Sequence, residues 1–113
     1  MEAIIETETG GNCKAKGLSG ETSCSQYMPA TWVHRSTQVL GYVAPLTPIN
    51  DRYVTAVTVQ GWLNRGYSAY QIGLLHNGGE IKEKKGINKF GVAYDSAAYA
   101  RKVVANYRNL ASN

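Results

Sequence analysis

Glu8 is the residue on which chemistry could turn. It opens the run Glu8-Thr9-Gly10-Gly11, at the end of a short apolar-start segment and before a loop rich in small polar residues. Farther along comes Gln26-Tyr27-Met28-Pro29-Ala30-Thr31-Trp32. A lone glutamate beside a flexible loop, followed by a Gln and a helix begun by Pro, suggests a cleft with one acid at its rim. One positioned carboxyl group is enough to protonate a leaving oxygen. The glycine pair leaves room for a ligand to approach the backbone. Read on composition alone, a glutamate at a helix end is more often just an exposed surface group. Glu6, on a different helix face, and Glu21, inside the loop, are rival acids. Gln26 offers its amide to a polar substrate, although a surface Gln is the commoner case.

Two cysteines, Cys13 and Cys24, bracket the loop. Their spacing fits no zinc pattern, and only His34 and His76 could complete a metal site, so no metal or other cofactor is expected. A disulfide that orders the Gly- and Ser-rich loop is the more economical reading, the alternative being two unlinked thiols. Such a link would stabilise by roughly 3 kcal/mol in the chain-entropy model and would imply an oxidising compartment. His76-Asn77-Gly78-Gly79 ends a helix. There Asn77 serves either as a cap or as an amide presented to a ligand. His76 could titrate near neutrality, but no Ser or Cys pairing marks it as the base of a triad. Eight tyrosines stand against one phenylalanine. That tilt suits surfaces where a ring stacks and a hydroxyl bonds, as sugars and proteins both require. Trp32 and Trp62 read as core residues. The Lys82-Glu83-Lys84-Lys85 run reads as a solvated loop, since a nucleic-acid patch would want more basic residues on one face.

The elements that must position these groups are helices. Residues 1–8 read as the last turns of a helix with Ile4 and Ile5 inward. Residues 9–27 read as a long loop, which in a compact domain is usually functional. Pro29 suits the first turn of a helix running to Gly41. Pro45 and Pro48 exclude regular structure between that helix and a third. Asn50 is expected to cap the third, with Tyr53, Val54, Val57, Gly61 and Leu63 on its buried face and Gly66 at its end. Ser68 caps a short fourth helix through Leu75, broken at Asn77-Gly78-Gly79. Residues 80–94 are a loop or small hairpin. Asp95 or Ser96 caps the last helix, with Tyr99, Val103, Val104 and Tyr107 periodic. The architecture is all-α, a compact single domain of about five helices over residues 1–113.

The 113 residues carry a formal net charge of +4, and 43% of them are hydrophobic, which argues against disorder. A mild positive balance favours anionic partners such as nucleic acid, a membrane surface or an anionic cell wall. No apolar run approaches a membrane span, and the acidic start fits no signal peptide, so an export signal was removed or delivery takes another route.

Four segments, in order, resemble the catalytic domain of lytic transglycosylases, in the lysozyme-like superfamily that includes goose-type lysozymes. Glu8-Thr9-Gly10-Gly11 looks like the family's Glu-Ser opening. From Gln26 onward, Ser23 to Trp32 is similar to Gly-Leu-Met-Gln-x-Met-Pro-x-Thr-Ala. Leu75-His76-Asn77-Gly78-Gly79 resembles Ala-Tyr-Asn-Ala-Gly, and Asp95 to Val103 resembles Glu-Thr-x-x-Tyr-Val-x-x-Val. Four positions differ: Thr9 stands at the family's serine, Ser23 at a glycine, Ser25 at a large apolar residue and His76 at a tyrosine. The resemblance implies a lysozyme-like fold and a peptidoglycan substrate, cut between N-acetylmuramic acid and N-acetylglucosamine. It implies Glu8 as general acid and then base, giving a 1,6-anhydro product with one carboxylate where most glycosidases need two. For that role burial would have to raise the pKa of Glu8. Gln26, Tyr27, Asn77 and Tyr99 become the expected substrate-side residues. The protein is then expected to work as a monomer in the cell envelope or outside the cell. The alternatives are a muramidase using water activated by Glu21 or another carboxylate, a non-catalytic glycan-binding or purely structural domain and, more distantly, nucleic-acid binding.

Overall fold

The computed structural model describes residues 1–112 and consists of five helices and one short hairpin. Helix α1 spans Glu2–Thr9, α2 Pro29–Leu40, α3 Pro48–Asn64, α4 Ala69–Gly78 and α5 Ser96–Ala111. Strands β1 (Lys85–Ile87) and β2 (Ala93–Asp95) pair antiparallel, with Lys85 opposite Asp95 and Ile87 opposite Ala93. The chain is mostly helical rather than all-helical, with five helices as expected, and the charged stretch read as a loop or small hairpin forms a two-stranded hairpin before the last helix.

Local signals explain most helix ends. Gly10, Gly41 and Gly79 take the left-handed conformation that closes α1, α2 and α4. Ser68 and Gln71 form a reciprocal capping box on α4. The Asp95 side chain accepts from Ala98 N at 3.0 Å and caps α5. Helix α3 departs from expectation at its start. Its cap is Thr47, not Asn50, and Pro48 occupies the first turn rather than ending structure there. Proline lacks only an N–H that a first turn leaves unpaired anyway. Asn50 instead ties the entry down by donating its side-chain N–H to Pro45 O at 2.9 Å.

Two apolar clusters hold the helices. The first joins Ala3 and Ile4 of α1 to Val59, Ile72 and Val103, with Trp62, Tyr67 and Tyr99 packed against it. The second joins Tyr27, Trp32, Ala44 and Val54. Burial of each large aliphatic side chain contributes about 2 kcal/mol, so an eight-residue α1, marginal alone, is held by Ile4 and Ile5. Gly73 lets α4 and α5 touch: a Cβ there would come within 2.8 Å of the Ala100 backbone. The buried side of α3 also differs from expectation. Tyr53, Val57 and Leu63 are exposed, and the inward residues are Asp51, Val54, Thr55 and Val59. Two polar residues face inward because a polar network receives them. Asp51 accepts from Ser25 N at 2.9 Å, Ser25 Oγ at 2.6 Å and Thr55 Oγ1 at 3.3 Å. Thr55 Oγ1 lies 2.6 Å from the Tyr27 hydroxyl.

Among the described residues no helix is long and apolar enough to cross a membrane.

Candidate active site

The loop between α1 and α2 is ordered by covalent and polar ties. Cys13 and Cys24 are disulfide-bonded. The Thr9 hydroxyl donates to Cys24 O at 2.9 Å, fixing the end of α1 against the segment that leads to Gln26. Lys16 pairs with Thr22, and Thr22 with Tyr27, as isolated bridges. Ser23 and Gln26 both have positive φ, 75° and 53°. Non-glycine residues resist that conformation, and such strain gathers where a site needs an unusual backbone. Here the surroundings hold it. Gln26 Nε2 donates to Ser23 O at 2.8 Å and Ala15 O at 3.0 Å, and Asp51 grips Ser25 between the two strained residues.

We expect Ser23→Gly to stabilise the protein. The left-handed conformation costs roughly 1–2 kcal/mol outside glycine, while glycine's extra freedom in the unfolded chain costs about 0.4–1 kcal/mol. The net gain should be roughly 0.5–1 kcal/mol, read as a raised midpoint in urea unfolding with unchanged slope. A lowered midpoint would show that the Ser23 backbone is unstrained.

This loop, α4 and the hairpin enclose an open cleft of about 790 Å³. Glu8, Glu21, Gln26, Tyr27 and Asn77 line it, as do the hairpin residues Asn88, Lys89, Phe90 and Tyr94. Asn88 Nδ2 donates to Ser19 Oγ at 2.8 Å, joining the hairpin to the loop. Lys84, also in the wall, donates to Gly78 O at 3.1 Å and pairs with Glu80 at 3.4 Å, so it closes the end of α4 rather than sitting in a purely solvated run.

Glu8 sits in the last turn of α1 and is half-buried at the cleft wall. Burial pushes its carboxyl up to about 8, with the Glu21 charge acting in the same direction. The carbonyl end of a helix has the same sign of effect on a carboxylate. The Tyr99 hydroxyl comes near enough to act the other way, yet it is buried without a hydrogen-bond partner of ordinary geometry. Burial also raises Tyr99 well above the usual phenol range. Glu8 is therefore a protonated acid at neutral pH, with a neutral phenol beside it. Glu6 is exposed and lies outside the cleft wall. Glu21 shares the cleft, and its Oε1 accepts from Ser19 N at 3.1 Å.

The other expected residues take different places. Asn77 lies inside α4, one residue before its end, exposed at the cleft and making no side-chain bond among the described residues. Gln26 commits its amide nitrogen to the loop; its side-chain oxygen makes no bond among the described residues. Tyr27 is 2% exposed, with its hydroxyl on Thr55, and forms part of the cleft's base. Tyr99 is not in the wall but behind it, packed on the first apolar cluster.

His76 links these groups. Its ring stacks on Tyr99 at 6.4 Å and meets Tyr27 edge-on at 5.5 Å. Nε2 lies 2.8 Å from Ser25 O, an acceptor only, so Nε2 carries the proton. Nδ1 is then the acceptor for Arg35, 3.0 Å away. Burial, and next the Arg35 charge, lower its pKa to about 3, against the smaller opposing pull of the Ser25 carbonyl. Contrary to the sequence expectation, His76 does not titrate near neutrality; it is a neutral brace between the two apolar clusters. From sequence, residues 80–94 read as a loop or small hairpin and Tyr94 is noted only as one of eight tyrosines; Asn88, Lys89 and Phe90 are not singled out.

No protein-family model, curated protein or solved structure matches this chain. Its functional reading therefore rests on the site itself. Among the described residues no group of His, Cys, Asp or Glu is arranged to hold a metal ion.

Proposed function

We propose that this chain is a peptidoglycan-cleaving glycosidase of the lytic transglycosylase type, built on a lysozyme-like helical domain. The observation that carries the proposal is a single glutamate, Glu8, its pKa raised to about 8, in the wall of an open cleft that also contains amides and aromatic rings. A glycan strand needs that combination: amide groups for its hydroxyls and acetamido groups, rings for its apolar faces, and one acid at the bond to be cut. Two features support the family likeness. Ser23 stands where the family has glycine, and its backbone adopts the left-handed conformation that glycine favours. Thr9 stands where the family has serine, and its hydroxyl ties α1 to the Gln26 segment.

In the proposed reaction Glu8 gives its proton to the glycosidic oxygen, and the bond from that oxygen to C1 of the muramic acid breaks. The departing N-acetylglucosamine keeps the proton as a hydroxyl. The 6-hydroxyl of the same muramic acid then bonds to C1, and its proton returns to Glu8. No water is consumed. Because Glu8 is regenerated protonated, one carboxyl serves both half-steps. Lys89 in the wall suits a substrate that carries carboxylates.

Glu21, in the same cleft, favours a second reading as a hydrolase, in which it activates water. Mass spectrometry of digested peptidoglycan separates the two. We expect anhydro ends, 18 Da lighter than the reducing ends that water would leave. Reducing ends alone would replace the first reading with the second.

A further inference from the structure

A second cavity, of about 670 Å³, opens between α2, α3 and the end of α4. It shares a wall with the cleft, because His76 lines the one, Arg35 lines the other, and the two side chains are hydrogen-bonded. Its lining includes Arg35, Arg65, His34, Gln38 and Thr58, and no aspartate or glutamate.

Arg35 is the unusual member. It is only 7% exposed, and no carboxylate lies within ion-pairing distance among the described residues, whose ion pairs are Arg52–Glu2 and Lys84–Glu80. Its guanidinium bonds to His76 Nδ1 at 3.0 Å and Leu75 O at 3.3 Å, and lies over Trp62 at 5.1 Å and Tyr27 at 5.6 Å. These partners are neutral. They occupy two of its five donors and place ring faces beside the cation, but no carboxylate balances a charge that is costly to take out of water. Arg65, exposed at the end of α3, also lines this cavity and is likewise without an ion pair among the described residues.

We propose that this cavity binds a phosphate-class anion, which supplies the counter-charge that Arg35 and Arg65 lack. Two guanidiniums with an amide and a hydroxyl offer more donors than the two oxygens of a carboxylate can use, whereas a phosphate presents more oxygens in a tetrahedral array. Trp62, Val39 and Val57 form an apolar part of the wall that suits the organic portion of a phosphate ester. The source is either a free phosphate or a phosphodiester polymer; the chemistry of recognition is shared.

The test is an amide-resolved NMR titration of the whole chain with inorganic phosphate at constant ionic strength, with acetate as the comparison anion. Saturable shifts are expected at Gln38, Thr58 and Arg65 with phosphate, and none with acetate. Arg65→Gln, an exposed change at a helix end, should weaken phosphate binding about tenfold, and Arg35→Met should abolish it if that variant folds. Glu8→Gln should bind phosphate as the parent does, so this result stands or falls apart from the glycosidase reading. A glycerol phosphate oligomer that binds more tightly than inorganic phosphate would identify a polymer as the source; equal or weaker binding would identify the free anion. Absence of saturation, equal shifts with acetate, or an affinity indifferent to Arg65→Gln would overturn the proposal.

Discussion

Glu8→Gln is expected to lower the rate of peptidoglycan cleavage by at least roughly a thousandfold. Acid catalysis by a positioned group contributes about 10²–10⁴ in rate, and in the proposed reaction the same group also serves as base. Glutamine keeps the shape and can donate only a weak N–H. The pH dependence follows from the same carboxyl. With Glu8 at about 8, the competent protonated form prevails below that pH, and cleavage should fall as pH rises through it. Lysis at equal rates by parent and variant would remove Glu8 from the mechanism. No lysis by either would favour a binding domain.

The same substitution should leave a signature in stability that requires no substrate. An ordinary glutamate ionises near 4.5, and folded Glu8 near 8. Between those values the folded protein keeps a proton that the unfolded chain gives up. The stabilisation from protonated Glu8 is fully present below 4.5 and is lost as pH rises through 8. Each pH unit in that window costs up to about 1.4 kcal/mol. Glutamine does not titrate, so the variant should lack this decline and be more stable than the parent at pH 8, by several kcal/mol at the upper limit. Urea unfolding at pH 5, 6.5 and 8 checks it. Parallel curves for both proteins would show that Glu8 is solvated.

What the sequence made legible, and what it did not, follows the range of the forces involved. The starts at Pro29, Ser68 and Asp95 and the stop at Gly41 depend on residues one turn away, so local reading found them. The inward side of α3 depends on Ser25 and Tyr27, which are 26 to 30 residues distant from their α3 partners. Periodicity therefore favoured Tyr53, Val57 and Leu63, while the polar network drew Asp51 and Thr55 inside. Apolar residues occur on both sides of α3, and such a helix gives the period little to select. In the cleft, Glu8, Gln26 and Asn77 were visible as motif residues. Asn88, Lys89, Phe90 and Tyr94 were not, because three-residue strands are too short to show alternation and their role depends on the turn between them. Tyr27 also illustrates the limit. An aromatic residue beside Gln26 reads as a sugar platform, yet its hydroxyl is taken by Thr55.

Asp51→Ala is expected to give the largest loss of stability. Asp51 is wholly buried and accepts from Ser25 N, Ser25 Oγ and Thr55 Oγ1. Alanine would strand those donors and leave space where the carboxyl was. Each unsatisfied buried group costs about 1–3 kcal/mol, so a total of roughly 3–5 kcal/mol is expected after partial relaxation. In a domain of this size that corresponds to a fall of about 15–25 °C in Tm. Asp51→Asn keeps an acceptor and nearly the same volume, and should lose about half as much. The damage should also reach the cleft. Ser25 sits between the strained Ser23 and Gln26, and its carbonyl accepts from His76 Nε2. Releasing it lets the Gln26 backbone relax, so activity should fall at temperatures where Asp51→Ala is still folded. Thermal unfolding and activity measured side by side decide the matter. A loss under about 1 kcal/mol would mean that Ser25 and Thr55 find other acceptors, and that the loop carrying Gln26 is held by the disulfide and its own bonds alone.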